Sequence, residues 1–255
     1  MGPKGDSFEK AQGGEPVSVP FQPPSHIDRP PVRISVAEGY RLWSQTYDLE
    51  PNPLLTLEFR TLSHKLEGLS GKIFLDVGCG TGRWMVEAVS RRARTIGLDL
   101  CREMLLVAAG KSHLTDRLVQ ADIQCLPLRA EIADMVMCSF CLGYIRPVDQ
   151  VLAELCRVTR HGGTVLVSDF HPGAHQAGWR RSFRSGSDVF EIESYCHTAD
   201  QLVDAGRMAG MRLKQVLEPG LGEPERHIMR GAGKMDLLEQ VSGIPAVLII
   251  EWQRG

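Results

Sequence analysis

The chain has 255 residues, 43% of them hydrophobic and 24% charged, with a formal net charge of −2. This length and balance suit one large or two small folded domains. They exclude a disordered, collagen-like or disulfide-scaffold chain as a description of the whole.

No run of five or more Lys/Arg is present. A nucleic-acid or anionic-membrane partner is therefore not expected, because such binding needs a concentrated basic surface. The seven cysteines are odd in number and most sit in apolar surroundings, which reads as reduced thiols in a cytoplasmic protein. The most apolar stretch, Ile244 to Trp252, is too short to span a membrane. The amino terminus lacks the layout of a signal peptide.

Residues 1–34 are rich in Pro and Gly and show no period. They read as a disordered arm, or as a segment that folds over a substrate. Residues 35–70 read as a helical lid. Tyr40, Trp43 and Tyr47 fall on one helix face; Pro51 and Pro53 interrupt it. Leu54, Leu55, Leu57, Phe59, Leu62 and Leu66 outline a second helix, with Gly68 as its stop.

Strands and helices then alternate. Strands are expected at 73–77, 95–99, 118–122, 134–140 and 164–169. Helices are expected at 83–92 and 102–109, and in a third segment with Pro147 in its first turn that reaches Arg160. Residues 171–198 break the rhythm with a hairpin around Ser185-Gly-Ser-Asp188. Thr198 caps a further helix, and strands at 213–217 and 247–252 complete the set. The pattern predicts an α/β fold: a doubly wound, mostly parallel seven-stranded sheet over residues 71–255, with 171–198 inserted after the fifth strand.

The chemistry concentrates at Asp76-Val-Gly-Cys-Gly-Thr-Gly82, between a strand and a helix. Glycines permit a sharp turn and close approach of a ligand to the backbone. In doubly wound folds such a loop lies where ligands bind. The spacing is Gly-x-Gly-x-Gly, which is neither the dinucleotide fingerprint nor a P-loop. Asp99 ends the second strand, where a carboxylate can bind a ribose diol, and Asp122 ends the third, where one can accept from an adenine amino group. Acids around a nucleoside repel phosphates but suit a sulfonium or ammonium.

With these residues in place, the chain resembles the class I S-adenosylmethionine-dependent methyltransferases, in their small-molecule branch (domain types 11 and 25). The likeness rests on four blocks in family order, Ile73 to Gly82, Gly97 to Met104, Gln120 to Pro127 and Arg157 to Leu166. Tyr40 to Asp48 is similar to the family's amino-terminal lid helix. The resemblance implies S-adenosylmethionine as cofactor. Asp76 would lie near its ammonium, and Gly78, Cys79, Gly80 and Gly82 would bring backbone against it. Asp99 would bind the ribose, Leu100 and Met104 would flank the adenine, Asp122 and Ile123 would read its edge, and Ser139 and Phe140 would lie near the methionine end. Cys101 stands where the family often has Ser.

Methyl transfer from a sulfonium is an in-line displacement, so the enzyme mainly aligns the acceptor and excludes water. The acceptor is expected to be a small metabolite with an O, N or C nucleophile. An RNA or protein acceptor, or a non-catalytic cofactor-binding module, is the alternative. His171, after the fifth strand, is a candidate base or a loop-bonded histidine; Tyr144 is a second catalytic candidate, and His175 is weaker. Tyr40, Trp43, Tyr47 and His197 are candidate substrate contacts, the aromatics equally readable as core. Arg180, Arg181 and Arg184 are either an anion site or a solvated basic face. Cys138 and Cys141 have Cys-x-x-Cys spacing without a second pair, so no metal is expected.

Overall fold

The computed structural model describes residues 30–231, 235–241 and 243–255. Most of the arm read over residues 1–34 lies outside the described residues. Its last part does not: Val32–Ile34 form strand β1.

In chain order the elements after β1 are α1 (Val36–Trp43), α2 (Pro53–Leu62), β2 (Ile73–Val77), α3 (Arg83–Ser90), β3 (Arg94–Asp99), α4 (Arg102–Ala109), β4 (Leu118–Gln120) and β5 (Ala133–Ser139). Then come α5 (Asp149–Val158), β6 (Thr159–Phe170), α6 (Pro172–Gln176), β7 (Ser182–Ser185), β8 (Asp188–Ile192), α7 (Ala199–Met208), β9 (Met211–Leu217), α8 (Glu223–Gly231), α9 (Met235–Gln240) and β10 (Val247–Arg254). The main sheet has seven strands in the order β4-β3-β2-β5-β6-β10-β9. Its first five strands are parallel, and β10 runs antiparallel to both β6 and β9. The chain leaves β2 toward β3 on one side and reaches β5 on the other. The carboxyl end of β2 is therefore the topological switch point, the place where open α/β sheets bind ligands.

Local chemistry explains the helix starts. Asn52 caps α2 by accepting from Leu54 N–H at 2.9 Å, with Pro53 at the first helical position. Thr198 and Gln201 form a capping box on α7. Two expectations shift. The helix expected to reach Arg160 stops at Val158, because Thr159 already pairs with Ala133 and begins β6. Pro147 precedes that helix instead of lying within its first turn. The short helices α8 and α9, between the last two strands, were not expected from the sequence.

Strand alternation sorts the core. Leu75, Val77, Val136, Cys138, Val165, Val167, Leu248 and Ile250 face one side. Phe74, Met135, Met137, Leu166, Val247 and Ile249 face the other, against Leu54, Leu57 and Leu62 of α2 and Trp84 of α3.

The two helices of residues 35–70 have different neighbours. Helix α2 is built into the main core. Helix α1 contributes to a smaller cluster of Ile34, Phe183 and Ile192, with Tyr40, Trp43 and Tyr144 packed on it. Strand β1 pairs in parallel with β8, and β8 pairs antiparallel with β7, so the hairpin is the body of a second, three-stranded sheet. Helix α1 crosses β8 at Gly39, where a Cβ would lie 2.7 Å from Ile192 Cγ1.

Candidate active site

The glycine loop takes the conformation its residues permit. Gly78, Gly80 and Gly82 have φ of 73°, 53° and 80°, in the left-handed region. Gly78 and Cys79 N–H both donate to Leu98 O, which ties the loop to the end of β3. A Cβ on Gly78 would lie 2.5 Å from Cys141 Sγ, whereas one on Gly80 would meet nothing within 4 Å. Gly78 is thus required by packing, while Gly80 presents bare backbone to open space.

Asp99 supports this loop from β3. Its Oδ2 accepts from Gly80 N–H at 2.7 Å and its Oδ1 from Cys101 N–H at 2.8 Å. Burial raises its carboxyl above the usual range, partly opposed by these backbone donors. Beside it, Leu100 is 60% exposed, while Met104 and Ile123 are buried. Asp122 is exposed and accepts from Gln124 N–H at 2.9 Å.

Period-two alternation places Asp76, Ser139 and Ser168 on the face that carries α2. Ser139 and Ser168 are register partners at the carboxyl ends of β5 and β6. Over them sits Glu58, a fully buried carboxylate within the Leu54, Leu57, Leu62 stripe of α2. Ser139 Oγ donates to Glu58 at 2.7 Å, and Ser168 Oγ and Arg83 Nη2 donate to it as well. Two buried polar atoms at this site have no hydrogen-bond partner among the described residues, Asp76 Oδ2 and Arg83 Nη1. Asp76 is pushed up to about 7 by burial, held back by Arg83 and reinforced by Glu58 and Asp99. Buried polar atoms are normally paired, so an unpaired acid oxygen at a switch point marks a place for a cationic ligand group.

The amino-terminal segment closes over the loop. Asp48 accepts from Thr81 Oγ at 2.8 Å and pairs with Lys111 at 2.7 Å. Tyr40, Trp43 and Tyr47 come together as expected. Tyr47 follows α1 but its N–H still donates to Trp43 O, keeping it on the same face, with its ring 4.9 Å from that of Trp43. Burial raises both the Tyr40 and the Tyr47 phenol. Arg83, Glu58, Tyr144 and Arg181 all act electrostatically on the buried Tyr47 phenol.

The second cluster changes the reading of the arginines. Arg181 turns inward, pairs with Asp169, and donates to Phe140 O at 3.0 Å and Tyr144 Oη at 3.3 Å. Its guanidinium lies 4.5 Å from the Tyr144 ring centroid and 4.6 Å from that of Phe170. Arg184 is exposed on β7, and Arg180 is spent on the carbonyls of His175 and Trp179. The three arginines do not form one basic face.

The histidines are committed elsewhere. His171 caps α6: its Nδ1 accepts from Gly173 N–H at 2.9 Å, and its Nε2 lies 3.0 Å from Glu218. With Nδ1 accepting, Nε2 carries the hydrogen and donates to Glu218, so both ring nitrogens are engaged. His197 Nε2 donates to Ile145 O at 3.0 Å and Leu142 O at 3.2 Å, fastening the turn that carries Tyr144. Burial and the Arg180 charge lower His175. Sequence reasoning misses Glu58, Arg83 and Asp169. The available signal is Glu58 itself, a charged residue inside an apolar helix stripe.

Residues 75–167 match a family model described as "Methyltransferase domain". A 2-phytyl-1,4-naphtoquinone methyltransferase of Synechocystis sp. is 34% identical over 125 residues, covering 45% of this chain and 52% of the relative. A malonyl-[acyl-carrier protein] O-methyltransferase of Yersinia pestis is 29% identical over 170 residues, covering 65% of this chain and 58% of the relative. The matched region thus spans about half the length of these curated relatives. Among solved structures, an S-adenosylmethionine dependent methyltransferase from Mesorhizobium loti shares the fold, with TM-score 0.62 and 20% identity over 80% of this chain and 100% of that one. Loop, acids and sheet order agree with that match: residues 75–167 are similar to the methyltransferase-domain family, and the chain has the fold of solved S-adenosylmethionine dependent methyltransferases.

Proposed function

We propose that this protein transfers a methyl group from S-adenosylmethionine to an O, N or C nucleophile of a small-molecule acceptor. The observation that carries the reading is the unpartnered, buried Asp76 oxygen beside the bare backbone of Gly80 and the loop-holding carboxylate of Asp99. These groups fit the cofactor: Asp76 for its ammonium, Asp99 for its ribose diol, and exposed Leu100 and Asp122 for its adenine. When bound it supplies a methyl group already activated on a positive sulfur. The protein's own work is then placement and exclusion of water. Asp99 orders the loop, Glu58 orients Ser139 and Ser168, and Tyr40, Trp43 and Tyr47 wall off the acceptor side. His171 is not proposed as a base, since its nitrogens cap α6 and meet Glu218. The relatives named above carry a quinone and an acyl-carrier conjugate in their names, which supports an oxygen-rich organic acceptor. The inward turn of Arg181 removes the basic cluster that would have favoured RNA.

Calorimetric titration with S-adenosylmethionine, with NAD as control, tests the reading. Saturable binding of the first and none of the second is expected; a folded protein that binds neither overturns it. The pH dependence is a sharper check. Asp76 titrates at about 7, so at acid pH its proton competes with the ligand's ammonium. The dissociation constant is expected to be about 25-fold larger at pH 5.5 than at pH 7.5, with proton release on binding. Equal affinity at both pH values would remove Asp76 from the cofactor site.

A further inference from the structure

Two phenols meet where α1 reaches the carboxyl end of the sheet. Tyr40 Oη and Tyr144 Oη are 2.7 Å apart, and Arg181 Nη1 is 3.3 Å from Tyr144 Oη. A guanidinium can only donate, so Tyr144 Oη accepts from Arg181. Each phenol has one hydrogen. One of the two closes the Tyr40–Tyr144 bond, and the other has no acceptor among the described residues. Because Tyr144 Oη already accepts from a cation, it is the more strongly polarised donor and its hydrogen goes to Tyr40, each link polarising the next. The hydrogen left over is that of Tyr40.

The relay is rigidly mounted. Asp169, which fixes Arg181, also accepts from Gly143 N–H and, at 2.6 Å, from Phe170 N–H. A Cβ on Gly143 would lie 2.6 Å from Arg181 Nη2, so the turn bearing Tyr144 is pressed onto the guanidinium. Burial holds the Tyr40 phenol well above its usual range, so this hydroxyl keeps its hydrogen and acts as a donor, not as a base. Around it are flat faces: Trp43 and Tyr47 have ring centroids 6.0 and 6.3 Å from that of Tyr40, and Phe183 stacks on Trp43 at 4.9 Å.

We propose that the Tyr40 hydroxyl, aimed by the Asp169–Arg181–Tyr144 relay, donates to a carbonyl or anionic oxygen of a flat, conjugated methyl acceptor lying among Tyr40, Trp43 and Tyr47. This rests on the methyl-transfer reading and names the acceptor class for it. A donor fixed by a buried cation selects for oxygen at one point of the ring system, and the aromatic faces select for flatness.

The test uses the full chain and two probes in equilibrium dialysis at pH 7.5. One is 2-hydroxy-1,4-naphthoquinone, a flat enolate; the other is indole, a flat ring without oxygen. Wild type is expected to bind the enolate. Tyr40→Phe, which keeps the ring, is expected to weaken enolate binding about tenfold and leave indole binding unchanged. Tyr144→Phe, which cuts the relay, should weaken the enolate in the same selective way. No enolate binding by wild type, equal binding by Tyr40→Phe, or parallel weakening of both probes overturns the proposal. S-adenosylmethionine titration of the same samples separates the two readings. Enolate selectivity without cofactor binding would leave the oxygen site standing and sink methyl transfer; cofactor binding without that selectivity would do the reverse.

Discussion

Replacing Asp99 with alanine is expected to weaken S-adenosylmethionine binding at least about a hundredfold and to lower the unfolding free energy by about 2–4 kcal/mol. Both effects have the same origin. The carboxylate accepts from Gly80 N–H and Cys101 N–H, at 2.7 and 2.8 Å, from a position where burial already opposes its charge. Truncation leaves two backbone donors without a partner, and each such loss costs about 1–3 kcal/mol. It also frees the Gly80 turn, whose φ of 53° has no Cβ contact to hold it. The cofactor then loses its ribose acceptor and meets a loop no longer preorganised. Urea unfolding gives the stability term, and calorimetry at a temperature where circular dichroism shows a folded variant gives the binding term. An alanine variant that binds as wild type does would remove Asp99 from the site.

Replacing Glu58 with alanine is expected to cost about 3 kcal/mol of stability, near the low end for breaking a buried ion pair. The low end applies because the Arg83 side chain is 28% exposed and can partly rehydrate, whereas Glu58 is fully buried. The hydroxyls of Ser139 and Ser168 lose their shared acceptor as well. Glu58→Gln keeps an acceptor oxygen and should cost less. A second readout separates this from a generic core defect. Glu58 raises Asp76, so its removal lets Asp76 ionise at lower pH, and the acid limb of cofactor binding should move to lower pH. Unchanged stability, or an acid limb that stays in place, would show that Glu58 does not act on this site.

Much of this was readable in the chain because it is local. The left-handed glycines of the loop and the cap at Thr198 depend on neighbours within a few residues, and Asp99 was legible from its place at the end of an apolar strand. The strand at Ile73–Val77 is buried on both faces, as a central parallel strand is, with Asp76 its one polar residue. The aromatic trio was legible for the same reason, since helical spacing alone groups Tyr40, Trp43 and Tyr47. Less legible was the end of the fifth helix. Residues Arg160 to Gly163 contain no strand former, yet pairing of Thr159 with Ala133 begins β6 there.

By itself the sequence determined the doubly wound sheet, the switch-point loop and the acids around it, since periodicity and glycine conformations are short-range properties. Only the tertiary structure decided which polar side chains face one another. Glu58 meets Arg83, Ser139 and Ser168 because α2 is laid over the strand ends, and no spacing in the chain foretells that. Arg180, Arg181 and Arg184 look alike in sequence, but Arg181 is drawn inward because Asp169 and three aromatic rings there compensate its desolvation. His171 stands where a base would be wanted, yet α6 needs a cap and takes its nitrogen. Charged groups find partners across the fold, so the side-chain chemistry of this site is set by long-range packing.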